Sequence, residues 1–279
     1  MSTTLLPALR QNRLLGFAAA LVAVQVGLAL LVPLLGFQDP YLQVMAQRIR
    51  PPGSGHLLGT DQLGRDVLAR IVHGYRTSLL TCGTAVALAL LMGGSIGMLA
   101  AYYRGWTDRL LMRVMDVLFA FPILLLAIGI IAVLGPSSLS AAYAIAIVYT
   151  PIFARLLRGP ALVVCESEYV QGAKAIGASD ARILASHVLP NLMSVILVQA
   201  SILLSAAILV EASLSFLGLG ARPPTPSLGL MLSEGRNFLL LSPWPAVFAG
   251  LAILFLSFGF NLLGDALRDT LDPRLRRAE

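Results

Sequence analysis

The side chains that could do chemistry in this chain are few and scattered. His56 stands near Asp61 and Asp66, a spacing that could ligate a metal ion or simply furnish a polar loop. His73 and His187 belong to no HExxH pair. No serine, histidine and aspartate fall together in a way that suggests a nucleophilic triad. Cys82 and Cys165 lie far apart without CxxC spacing, so they imply neither a disulfide framework nor a zinc site and read as small apolar residues. The one lysine, Lys174, sits between Ala173 and Ala175. It cannot be the lysine of a phosphate-cradling Gly-Lys-Ser/Thr loop. Catalysis, a metal centre and a cofactor site on this chain are therefore not expected, and energy for any active process must come from elsewhere.

The elements that hold these residues are apolar. Hydrophobic residues make up 57% of the 279 and charged residues 12%, where a soluble domain averages about 25% charged. The net charge is +6, but the basic residues lie between long apolar runs and form no stripe with interleaved aromatics, which argues against nucleic acid and for membrane flanks. Uncharged stretches run over residues 14–35, 79–103, 117–134, 139–154, 192–210 and 244–263. Each is near the roughly 20 residues a helix needs to cross hydrocarbon, and the shortest, the fourth, lengthens if it starts at Pro136. Lipid leaves backbone groups no water to bond, and the runs lack barrel-strand alternation, so six transmembrane helices are expected. Arg10 and Arg13 precede the first run, which at 22 residues reads as a retained signal anchor. Pro33, Pro122 and Pro151 fall near span ends, where a missing N–H is tolerated. Gly93 with Gly97, and Ala142 with Ala146, are small-residue pairs that suit close helix approach.

Placing the N-terminus (1–13) in the cytoplasm puts the loop 155–191 and the C-terminal residues 265–279 there too. Thirteen of the 20 basic residues then lie inside and 7 outside, which the positive-inside rule favours. Arg48, Arg50, Arg65, Arg70 and Arg76 run against it in the loop 36–78. No Asp, Glu, Lys, Arg or His stands within a predicted span; Asp116, Arg155 and Glu211 come only at edges. A proton-coupled carrier needs an ionisable relay at depth, so that class is disfavoured. A sodium-coupled carrier built on broken helices and backbone carbonyls stays open.

The loop 155–191 is patterned. ESEYVQGAKAIG, Glu166 to Gly177, suits a short amphipathic helix with Glu168, Gln171 and Lys174 toward one side and Val170, Ala173 and Ile176 toward the other. Gly177 suits a left-handed C-terminal cap, and Ser179 can cap a second short helix through Ile183, Leu184 and Val188. Pro190 stands at the first turn of the fifth span. Two short helices at a membrane surface make either a docking knob or an interfacial segment lying on lipid. After the sixth span, GDALRDTLDPRLR predicts a surface helix ending near Asp272-Pro273.

Gln171-Gly172-Ala173, then Gly177, then Leu189-Pro190 resemble the EAA loop of permease subunits in bacterial ATP-binding-cassette (ABC) importers, with Gln171, Gly172 and His187 departing from its Glu, Ala and Ile. HLLGTDQLGRDVLARIVHGYRTSL, His56 to Leu79, resembles a signature of the dipeptide/oligopeptide/nickel branch. SLSFLGLGARPPTPSLGLML and NLLGDALRDTLDPRLR resemble that branch's last loop and C-terminus, with Leu228 where an aromatic is common.

The resemblance implies an all-α integral membrane protein with the type I ABC importer permease fold. Spans two to six, within 79–264, would form the shared core, and the first span with the loop 36–78 the branch's addition. It implies a non-catalytic subunit with no cofactor of its own, ATP and Mg being held by partner ATPases. The implied partners are a second homologous permease, two cytoplasmic ATPases, an extracytoplasmic substrate-binding protein and membrane lipid, with no nucleic acid. The residues it marks for ATPase coupling are Glu168, Gln171, Gly172, Ala173, Lys174, Gly177, Ala178, Leu189 and Pro190. Peptides are the first-choice cargo and nickel or a metal chelate the alternative; a self-sufficient carrier or channel and a membrane scaffold are the competing classes. The implied location is the bacterial inner membrane.

Overall fold

The computed structural model describes residues 13–31, 38–53 and 55–271, and among them helices carry the fold with no strand beyond isolated bridges. The long helices are α1 (Arg13–Leu31), α2 (Val67–Tyr103), α3 (Gly105–Phe119), α4 (Ile123–Leu134) and α5 (Ser138–Cys165). Then follow the short α6 (Glu168–Ala175) and α7 (Asp180–Ile183), α8 (Leu189–Phe216), α9 (Leu228–Arg236) and α10 (Trp244–Leu271). Five of these helices are long and apolar enough to cross a bilayer, or six if the bent pair α3 and α4 counts as one span. The end of the first predicted span with Pro33, the extreme N-terminus, and the predicted break at Asp272-Pro273 lie outside the described residues.

The helices alternate in direction. Gly93 of α2 lies against Thr150 and Phe153 of α5, and Gly97 against Ala154, so tightly that a Cβ at either would collide with backbone. Numbers rise together along both, so α2 and α5 run parallel, as spans separated by one crossing must. Ala142 and Ala146 are buried on the same helix. By contrast α1 meets α10 antiparallel, with Leu15 and Ala18 beside Ala266 and the Gln25 amide donating to the Phe255 carbonyl at 2.7 Å. Ser205 and Ser257 bond at 2.9 Å between α8 and α10. Tyr149, Phe153, Ile145, Ile131, Ile208 and Leu214 fill the shared core.

Three features depart from the sequence reading. The stretch 117–134 is not one straight span: α3 and α4 meet at 90° across Ala120-Phe121-Pro122. Pro122 lacks an N–H and pushes Phe121 out of the helical region. Pro151 does not end a helix, since α5 continues through it and Pro160 to Cys165. Buried packing on the neighbouring helices outweighs the lost backbone bonds, as membrane bundles allow. Glu211, expected at a span edge, is enclosed within the longer α8 and is 2% exposed, where Ser78 and Ser215 donate to its two oxygens at 3.0 and 2.7 Å.

At the end where α2 begins, here the upper end, the loop after α1 is a compact cap. His56 bonds Asp66 and Gln47 at 2.8 Å each, and Asp66 caps α2 through the Ala69 N–H at 2.7 Å. Asp61 accepts from Arg65 and Arg70 at 2.6 Å, and both arginines reach Glu234 of α9 at 2.9 Å. Asp61 thus serves arginines rather than His56, and the described residues hold no grouping of three metal-ligating side chains. The polar-loop alternative for His56 is what the geometry favours.

Candidate functional site

The patterned loop sits at the opposite, lower end, between α5 and α8. Ser167 starts α6, its hydroxyl donating back to the Val164 carbonyl at 2.6 Å. Glu168 in the first turn and Lys174 in the last complement the helix dipole. Val170 and Ala173 turn inward onto a cluster of Ala101, Leu157, Ala161, Cys165, Ile183, Val188 and Leu192. This small core joins α2, α5, α6, α7 and α8, so a force on α6 reaches three membrane-crossing helices through close-packed side chains.

The end of α6 is set by Gly177 at φ +82°. The Ala178 N–H bonds the Ala173 carbonyl at 3.1 Å and the Gly177 N–H bonds that of Lys174 at 3.0 Å, the paired closure of a Schellman cap. Ser179 occupies the next N-cap position without a side-chain bond. The second helix is not separate as expected: α7 runs through a π turn, Leu184–Val188, into α8. Pro190 falls in the first turn of α8 and is exposed, while Leu189 packs on the small core.

Seven of the nine residues singled out from the sequence divide into two groups. Glu168, Gln171, Gly172 and Gly177 are exposed on α6 and its cap. Ala173, Ala178 and Leu189 face the small core instead. Two side chains behave differently from the amphipathic reading. Ile176, placed on the inner side, is 86% exposed because it is the cap residue where the chain leaves the helix. Lys174 folds over the Tyr102 ring at 4.2 Å in a cation–π contact, away from Glu168. Gln171 donates to the Cys165 carbonyl at 2.7 Å, tying α6 to the end of α5.

Several anchors of the loop carry no local signal. Tyr102 and Tyr103 at the end of α2 donate to the two oxygens of Asp180 at 2.6 and 2.9 Å. The Tyr102 hydroxyl first, and Tyr103 second, hold that carboxyl below the usual carboxylate range. Arg104 pairs with Glu166 at 2.9 Å, joining the ends of α2 and α5. These partners are 62 to 78 residues apart, and only the parallel packing of α2 and α5 brings them together. Chemically the surface offers no nucleophile–base pair; it is an exposed helix braced against the ends of α2, α5 and α8.

Comparison with known proteins follows the same lines. The family described as "Binding-protein-dependent transport system inner membrane component" matches residues 93–277. The dipeptide transport system permease protein DppC of Alkalihalophilus pseudofirmus is 42% identical over 268 residues, 96% of this chain and 88% of that protein. The glutathione transport system permease protein GsiD of Pectobacterium atrosepticum is 47% identical over 225 residues, 81% of this chain and 75% of that protein. Among solved structures, a chain of the methionine ABC transporter MetNI in an inward-facing conformation superposes with a TM-score of 0.59 at 16% identity. That likeness covers 73% of this chain and 97% of the other.

Proposed function

This chain belongs to the family of binding-protein-dependent transport system inner membrane components, as a non-catalytic ABC transporter permease whose ATP is hydrolysed by separate subunits, and from that premise we propose its cargo, partners and coupling surface. It passes di- or oligopeptides inward, as one of two similar permeases, with two ATPases at the lower end and a substrate-binding protein at the upper end. The observation that carries the peptide assignment is the 42% identity to a dipeptide permease over 96% of the chain, and the glutathione permeases point to the same cargo chemistry. No observation favours nickel or a metal chelate. The lower end faces the cytoplasm of a bacterial inner membrane, supported by the 13 to 7 distribution of basic residues.

Coupling runs through α6. A helix seated in a groove of an ATPase moves when two ATPases close on ATP. Because Val170 and Ala173 lock α6 to α5 and α8, that movement biases the spans between inward- and outward-open packings. Glu168, Gln171, Gly172, Ile176 and Gly177 present the exposed side to the groove. The subunit itself holds no nucleotide.

The test is reconstitution. Proteoliposomes holding both permeases and both ATPases, with binding protein added outside, should accumulate labelled dipeptide only when ATP is inside. Accumulation by this chain alone would make it a self-sufficient carrier, and uptake of a nickel chelate but no peptide would overturn the cargo. Orientation is read separately: a cysteine at Ser179, in a background lacking Cys82 and Cys165, should resist an impermeant thiol reagent outside intact cells. Reaction there would invert the topology.

A further inference from the structure

The geometry points to α3 as a helix lying on the membrane surface that holds the phosphate headgroup of an anionic phospholipid between Arg109 and Arg113. α3 is turned 90° from α4. Its depth follows from two ion pairs to α5. Asp116 accepts from Arg155 at 2.6 Å, and Asp108 takes Arg158 through both oxygens at 2.6 and 2.5 Å. Arg155 lies 17 residues past the start of α5 at Ser138, about 26 Å along the helix, close to the hydrocarbon thickness. The Arg155 guanidinium also covers the Phe119 ring at 4.2 Å. α3 is thereby pinned at the lower boundary of the bilayer.

The two long faces of α3 then have different needs. Met115 is its only buried residue. Trp106, Leu110, Val114 and Val117 form a stripe at helical spacing, 69%, 46%, 49% and 58% exposed. A water-facing stripe of that kind is costly, whereas one sunk into acyl chains with Trp106 at the interface is the pattern of surface-lying amphipathic helices. Beside the stripe opens a recess of about 650 Å³, lined by Trp106, Asp108, Arg109, Arg113, Asp116 and Arg158. Its carboxylates are already matched to Arg155 and Arg158. Arg109 bonds only the Gly105 carbonyl, at 3.3 Å, and Arg113 has no ionic or hydrogen-bond partner among the described residues. Two uncompensated guanidinium groups thus face one recess at headgroup level, and guanidinium is suited to phosphate oxygens. The cytoplasmic leaflet supplies anionic lipid, so the assignment rests on the proposed orientation, while binding itself can be read without transport.

The assembled transporter, purified in detergent, is titrated with phosphatidylglycerol or phosphatidylcholine and bound lipid is counted by native mass spectrometry. Phosphatidylglycerol should be retained in preference. The Arg109→Gln/Arg113→Gln double variant should weaken that preference about thirtyfold, and Arg113→Gln alone about fivefold, as one basic group near the surface contributes. Arg109→Lys/Arg113→Lys keeps the charge and should keep most of the binding, which guards against a double variant that fails to assemble. Equal retention of the two lipids, or unchanged retention in the double variant, would overturn the site. So would displacement of the lipid by inorganic phosphate at matched concentration, which would make it a free-anion site. Crosslinking of a cysteine at Arg113 to another subunit, with no lipid bound, would make α3 a protein interface instead.

Discussion

Replacing Gly177 by valine tests the coupling assignment at a point where backbone geometry alone is at stake. The residue sits at φ +82°, and a Cβ built there meets nothing within 4 Å. Within this chain there is no crowding, so any steric effect must come from a docked partner. Holding a residue with a Cβ in the left-handed region costs about 1–2 kcal/mol. Escaping to negative φ instead breaks the cap bonds of 3.1 and 3.0 Å from Ala178 and Gly177, each worth about 0.5–1.5 kcal/mol. The left-handed route bounds the loss, so the ordered end of α6 loses about 1–2 kcal/mol, a factor of about 5–30 in its population. Peptide uptake and substrate-stimulated ATP hydrolysis in the reconstituted complex should fall together, with assembly intact. Gly177→Asn separates the causes, because asparagine tolerates left-handed backbone. Recovery with asparagine means backbone strain, and failure with both variants means a tight groove. Ala178→Ser should be nearly silent. Full activity in Gly177→Val would falsify the coupling role of α6.

Gly97→Val should prevent α2 from seating on α5, because the new Cβ would collide with the Ala154 carbonyl. Overpacking of about 1–3 kcal/mol should show as a lower Tm and a poor yield of assembled complex. Arg70→Met leaves Asp61 and Glu234 with Arg65 alone; breaking such a buried pairing costs about 3–5 kcal/mol, read as a drop in Tm that Ala178→Ser does not show. Asp180→Asn replaces one of the two oxygens that accept from the tyrosine hydroxyls by a donor amide and removes the charge, and should speed amide exchange in α6 and α7. Because the folded carboxyl is held below its usual range by Tyr102 and Tyr103, its support is present above the unfolded pKa and disappears as pH falls through the lowered value. Acidification should therefore loosen the wild-type loop and leave Asp180→Asn unaffected; equal sensitivity in both would refute the anchor.

The six crossings, the helical character and the patterned loop are legible in the chain itself because they arise from local rules. Apolar runs of bilayer length can only be helices in lipid. Gly177 is where a Schellman cap needs a residue without a Cβ, and the spacing Gly93-x-x-x-Gly97 marks a close approach before its partner is known. What remained hidden depends on which helices become neighbours. Pro122 predicts a boundary but not a 90° bend, since the direction of α3 before it is set against α5 through Arg155 and Arg158. Ile176 has the right spacing for the inner face and still points out, because the helix ends at its own position. Glu211 reads as a boundary charge, yet its burial requires Ser78, 133 residues away, to arrive beside it. Glu234 likewise meets Arg65 across 169 residues. Local propensity and hydrophobic length act over a turn or a span, so residue order alone determined them. Pairing of polar groups inside a low-dielectric bundle acts over distances that only the tertiary packing of α2, α5, α8 and α9 could bring to contact.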